Sequence, residues 1–225
     1  MVPCPVPAHV LSMRILPNAD AILRSRFELR EGDRSLGLLT ADCDDVAYAA
    51  LDEATKKADV HVAYARSMYA GASNASMRLA GEFLGILSGP DPEQIRSGLQ
   101  AAAHYIQQEA CFYTACEDGS VVYFAHCIAR TGTYLSQLAG VPAGTAMAYL
   151  IAPPLEAVVG LDAALKASGT SLRVFYGPPT ETNFGGGLLT GEQSACRSAC
   201  EAFAEAVRDI AQQPLLNERQ ESEAY

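Results

Sequence analysis

At 225 residues the chain can form one large domain or two small ones, since compact domains usually run to about 100–200 residues. Hydrophobic residues make up 49% and charged residues 19%, enough for a sizeable core; 16 basic against 26 acidic side chains leave a formal charge of −10, which repels phosphate backbones and anionic lipid heads and argues against nucleic acid or a membrane surface as partner. The opening MVPCPVPAHVLSMRIL lacks a basic stretch followed by an unbroken apolar run, and the richest apolar window, AMAYLIAPPLEAVVGLDAAL, is interrupted by Pro153, Pro154 and Glu156. These features predict a soluble cytoplasmic protein.

In chain order, short β-rich runs alternate with segments of 3.6-residue periodicity. Strands are predicted near 9–16, 35–40, 60–66 and 81–87, with helices near 18–26, 44–57 and 91–107. Asp44 and Asp45 open the second helix, and Pro92 and Glu93 fall in the first turn of the third. Further strands are expected near 121–128, 146–151, 171–176 and 186–190, with helices near 131–139, 154–167 and 191–212, Pro154 suiting a first helical position. Small-residue loops are expected around 69–80 and 178–187, and the charged tail NERQESEAY should be disordered.

The two series are copies of one another. RSLGLLTADCDDVAYAALDEATKKAD from Arg34 lines up with AMAYLIAPPLEAVVGLDAALKASG from Ala146, so that Leu51, Asp52, Ala54 and Lys56 correspond to Leu161, Asp162, Ala164 and Lys166. A second match sets GEFLGILSGPDPEQIRSGLQ from Gly81 beside GGLLTGEQSACRSACEAF from Gly186. Each copy reads β-α-β-α-β-β-α, an α/β (α+β) architecture of two tandem domains.

Several blocks then identify a family. SLGLLTADCDDVAYAALDEATKKADVHVAYARSMYAGASNAS, RTGTYLSQLAG, AYLIAPPLEA, PPTETNF and LLTGEQSACRSACEAFAEAV together resemble the EutL family, the tandem-domain shell proteins of ethanolamine-utilising bacterial microcompartments. Only the first eight residues, a stretch around LREGDR and the tail depart from it. The resemblance implies two ferredoxin-like, circularly permuted microcompartment domains, at 1–112 and 113–216, followed by a disordered tail at 217–225. It further implies a homotrimer forming a pseudohexameric disc, tiling with other shell proteins in a cytoplasmic microcompartment shell, and a structural role in place of an enzymatic one. The loops around 69–80 and 178–187 would be gate elements of a central pore.

The same resemblance places ethanolamine contacts on Asp45, Glu82, Phe112 and Thr182, with Val46 and Asn183 alongside. A primary ammonium suits carboxylates and an aromatic face, which adds a cation–π attraction of about 0.5–2 kcal/mol. Read without the family, Asp44 and Asp45 are carboxylates at the positive end of a helix, Glu82 is a solvated rim residue and Phe112 is core. No cofactor is required, although the family raises Cys127 as a contact to a corrinoid such as cobalamin.

Seven cysteines, at 4, 43, 111, 116, 127, 196 and 200, form no secreted disulfide pattern and read as reduced thiols. Cys196 and Cys200 share a helix face without a neighbouring His, which favours buried thiols over metal ligands. HCIARTG brings Arg130 too close behind Cys127 for a phosphate-binding Cys-x5-Arg loop, and no nucleotide-binding or zinc-protease motif occurs. Asp45 and Glu82 could serve as acid and base, but no nucleophile, base and orienting group fall into place, so an enzyme is disfavoured. The remaining alternative is a soluble small-amine-sensing regulatory module.

Overall fold

The computed structural model describes residues 2–69 and 79–215. The elements run β1 (Pro5–Val6), β2 (Val10–Leu16), α1 (Ala21–Arg26), β3 (Ser35–Ala41), α2 (Asp44–Lys57), β4 (His61–Ser67), β5 (Phe83–Gly89) and α3 (Pro92–Gln108). They continue with β6 (Phe112–Thr114), β7 (Val122–Ile128), α4 (Thr133–Ala139), β8 (Met147–Ala152), α5 (Pro154–Ala167), β9 (Ser171–Tyr176), β10 (Gly185–Thr190) and α6 (Gln193–Gln212). Two antiparallel sheets result, ordered β2-β3-β5-β4 and β1-β6-β7-β8-β10-β9. Without β1 and β6 the second sheet repeats the order of the first, as expected of a duplicated fold.

Strand composition explains strand position. β8 (MAYLIA) and β10 (GGGLLT) are buried at every residue, as central strands covered on both faces must be. β4 and β9 alternate exposure and close the sheets as edges. Helix α3 begins at Pro92 behind Asp91, whose carboxylate accepts from Glu93 N and Gln94 N at 2.8 and 2.9 Å. One hydrophobic cluster runs through both copies, joining Leu39, Val46, Leu51 and Phe83 to Phe124, Leu135, Met147 and Tyr149. A second is confined to the C-terminal copy and contains Cys196, Cys200 and Phe203.

Three points differ from the sequence reading. β1 and β6 were not anticipated; at two and three residues they are too short for periodicity to reveal, yet Pro5 pairs with Tyr113 and Val6 with Phe112, fastening the N-terminus to the second sheet. The predicted strand at 81–87 begins at Phe83, which leaves Glu82 just outside it. The alignment of Gly81 with Gly186 is also shifted: Gly37 pairs with Leu87 and Ala148 with Leu189, so Leu87 and Leu189 are counterparts. Close approaches agree, since a Cβ on Gly89 would meet Asp59 O and one on Gly191 would meet Gly169 O. The loop expected at 69–80 falls, from 70 to 78, outside the described residues, as does the tail at 217–225.

Candidate functional site

The copies meet where α2 lies against α4 and the ends of β8 and β9. Asp45 and Asp44 occupy the first turn of α2, but neither caps it: the N-cap is Cys43, which makes no side-chain capping bond. Asp45 is turned to the other copy, where Tyr149 donates its hydroxyl to Asp45 Oδ1 at 2.7 Å. Asp44 Oδ1 accepts from Asp45 N at 2.9 Å, and its other oxygen faces Thr182 Oγ1 at 3.5 Å. Tyr48, one turn on, bonds Ser67 at 3.0 Å and stacks on Tyr134 of α4.

These groups line a cavity of about 280 Å³, walled by Asp44, Asp45 and Tyr48 from α2, Ala65, Arg66 and Ser67 from β4, and Tyr134, Tyr149 and Tyr176 from the second copy. A ligand of four or five heavy atoms fits such a volume easily. Burial pushes the Asp45 carboxyl well above the ordinary range, the nearby Asp44 charge adds to the shift, and the Tyr149 hydrogen bond opposes it. Asp44 is raised for the same first reason, countered by hydrogen bonds from Ser67 and Thr182. Glu82 is raised by partial burial and by the charges of Asp44 and Asp42, which places it in the same acidic corner. Asp45 and Glu82 both feel the charge of Asp44, so three acidic side chains share this corner of the seam.

Of the residues singled out from sequence, Asp45 lines the cavity, while Thr182 and Glu82 adjoin it through Asp44. Val46 is fully buried in the core. Phe112 is buried, stacked on Phe124 at 5.3 Å and edge-on to Phe184 at 5.8 Å, which ties it to the turn carrying Thr182 and Asn183. Asn183 is exposed with φ 65° and donates its N–H to Thr180 O. Sequence reasoning missed Tyr48, Tyr134, Tyr149 and Tyr176. Tyrosine at such distant positions carries no local signature; the one available hint was that Pro154 and Leu155 stand in copy two where Asp44 and Asp45 stand in copy one.

Cys127 lies elsewhere, half-buried on β7 with its thiol proton retained through burial. Beside it, His126 Nε2 is paired with the Tyr105 hydroxyl at 2.6 Å, and burial lowers the imidazole to about 4. Within one chain these residues offer a corrinoid a protonated thiol and an engaged imidazole, a poor donor set. Among the described residues no group of three or more His, Cys, Asp or Glu is placed to hold a metal, and no helix is long and apolar enough to cross a membrane.

The fold and its duplicated order define a protein of the bacterial microcompartment class: residues 35–116 match the BMC domain. The chain is 58% identical over 207 residues to the bacterial microcompartment shell protein EutL of Clostridium perfringens, covering 92% of this chain and 95% of that protein. It is 47% identical to the EutL of Escherichia coli, covering 92% and 94%. The crystal structure of ethanolamine utilization protein EutL from Leptotrichia buccalis superposes with a TM-score of 0.94 at 59% identity, covering 96% of this chain and all of that one. The chain belongs to the EutL family, the shell proteins of ethanolamine-utilisation microcompartments, and its role is structural in place of enzymatic.

Proposed function

We propose that three copies of the chain form a pseudohexameric disc that tiles with other shell proteins, and that the seam between the copies of the fold is a selective site for ethanolamine or a closely similar small amine. The domains of each chain are taken as 1–112 and 113–216. What supports the ligand reading is one arrangement: a cavity of about 280 Å³ that is lined by Asp44 and Asp45, by four tyrosines, and by Arg66 and Glu181. The ammonium takes the carboxylates of Asp45 and Glu82, while Thr182 and the tyrosine hydroxyls offer partners to the alcohol. Phe112 supports the turn bearing Thr182 and Asn183, and Val46 backs Asp45. Four heavy atoms at about 1.5 kcal/mol each allow about 6 kcal/mol, so affinity is no tighter than tens of micromolar. Weak binding suits a conduit, and the loops around 69–80 and 178–187 are the elements to gate a central pore.

Calorimetric titration of ethanolamine into the wild type and into Asp45→Ala and Glu82→Ala tests the site. Unchanged binding in both variants sinks it. Light scattering with electron microscopy of the same samples tests the tile: a mass of three 23.8 kDa chains that proceeds to sheets is expected, and a monomer that never tiles refutes it.

A further inference from the structure

The cavity at the seam is larger than ethanolamine. A heavy atom takes roughly the 30 Å³ that a water molecule takes in the liquid, so four leave more than half of about 280 Å³ to solvent, and seven fill most of it. The walls carry four tyrosines from four different elements: Tyr48 on α2, Tyr134 on α4, Tyr149 on β8 and Tyr176 on β9. The fold does not demand them. Tyr48 corresponds to Val158 in the shared LD-x-A-x-K alignment, and Leu38 stands where Tyr149 does, since Gly37 and Ala148 occupy equivalent places in their sheets.

The rings are held in place by their neighbours. Tyr48 stacks on Tyr134 with centroids 6.3 Å apart and packs edge-on against Phe83 at 4.8 Å. Tyr149 packs edge-on against Phe124 at 5.4 Å and lies 6.2 Å from Tyr176. The acidic side chains on the wall, Asp44, Asp45 and Glu181, outnumber the guanidinium of Arg66, and the oxygens of the two aspartates are largely engaged already. Asp45 Oδ1 takes the Tyr149 hydroxyl at 2.7 Å, Asp44 Oδ1 takes Asp45 N at 2.9 Å, and Asp44 Oδ2 faces Thr182 Oγ1 at 3.5 Å. The hydroxyls of Tyr48 and Ser67 bond each other at 3.0 Å. A primary ammonium brings three N–H donors, each of which needs an acceptor once water is gone. A methylated ammonium brings fewer and a quaternary one none, yet both keep the charge that carboxylates and aromatic faces attract.

Building on the reading of the seam as a small-amine site, we infer that the four-tyrosine cavity is an aromatic cage for an N-methylated amino alcohol, choline being the fully methylated member of that class. The methyl groups occupy the space that ethanolamine leaves to water and lie against the tyrosine rings. The acidic wall supplies the counter-charge without having to accept a hydrogen bond from the nitrogen, and the alcohol reaches the hydroxyls of the tyrosines and Thr182. Ethanolamine is then the smallest and weakest ligand of the series.

Calorimetric titration of the whole protein with ethanolamine, its N-methyl and N,N-dimethyl derivatives and choline tests the cage. Kd should fall at each methylation, with choline at least about tenfold tighter than ethanolamine. The neutral isostere 3,3-dimethylbutan-1-ol, in which carbon replaces the quaternary nitrogen, should bind at least about tenfold more weakly than choline. Tyr134→Phe, which keeps the ring and loses the hydroxyl, should preserve the order of the series, and Tyr134→Leu should bring choline level with ethanolamine. Far-UV circular dichroism checks the fold of both variants, and the isostere decides the matter in the wild type if the Leu variant fails to fold. Ethanolamine that binds as tightly as choline, or more tightly, overturns the cage but leaves the amine site standing. An isostere that matches choline overturns the cage as well. Absence of binding by all four amines overturns the small-amine reading and the cage with it.

Discussion

Helices α2 and α5 share the motif LD-x-A-x-K and occupy the same place in their sheets, yet their polar residues lead different lives. Asp52 is fully buried and supplies the first turn of α4 with acceptors that α4 lacks, since its own N-cap is Gly132. Asp162 faces solvent and meets only Lys166 of its own helix. Helix α1 is the counterpart of α4 in the repeat, since Ala19 N donates to Arg34 O as Thr131 N does to Thr145 O, and it caps itself through Asp20, whose carboxylate accepts from Ile22 N at 2.8 Å. Duplication has preserved the backbone, and the neighbour has decided what each carboxylate does.

The comparison can be broken at several points. Replacing Asp52 by Ala leaves two buried N–H groups without acceptors, and at about 1–3 kcal/mol for each unsatisfied group the loss should be about 3 kcal/mol in denaturant unfolding. Asp162→Ala should stay within about 0.5 kcal/mol, as for other exposed pairs. Equal effects at the two sites would refute the distinction. Gly132→Ala comes next, at about 1–3 kcal/mol, because its Cβ would lie 2.3 Å from Thr55 Oγ1 and 2.5 Å from Asp52 O. Asp20→Ala, at the matching position, should cost about 1 kcal/mol through the lost cap alone.

A titration sharpens the electrostatic side. The folded carboxyl of Asp45 is raised above its unfolded value, so the native state retains a proton that the unfolded chain has released. Its contribution to stability is therefore largest below the unfolded pKa of about 4 and declines as pH rises toward the folded pKa. An ammonium ligand favours the ionised carboxylate, so amine binding should release protons and weaken as pH falls through the folded pKa, by at most about tenfold per unit for each proton. Calorimetry in two buffers of different ionisation enthalpy measures that release, and identical heats would count against an ionising acidic site. The smallest effect is expected from Tyr48→Phe, which removes the bond to Ser67 at a cost of about 0.5–1.5 kcal/mol by thermal unfolding; Val158, its counterpart, never had one.

Much of this arrangement is legible in the sequence wherever the signal is local or repeated. The helices over 44–57 and 154–167 and the strand over 171–176 fall where periodicity and proline placement put them. Cys196 and Cys200 are buried thiols on one helix face, as their spacing and surroundings suggest. What escapes is whatever depends on long-range pairing. β1 and β6 exist only because they find one another and β7. Asp44 and Asp45 look like first-turn charges until Tyr149, 104 residues beyond Asp45, is seen to donate to the second of them. Gly132 falls inside the helix expected near 131–139 with nothing to set it apart, and its necessity lies in how closely α2 passes.

The placement of the acidic cavity between segments of a single chain has a kinetic consequence. A pocket formed where separate molecules touch fills only as fast as those molecules meet, and empties on dilution. Here the two walls are joined covalently, so the pocket closes in a first-order step and survives at any concentration. Such a cavity is complete on a newly made, solitary chain, long before any neighbour arrives.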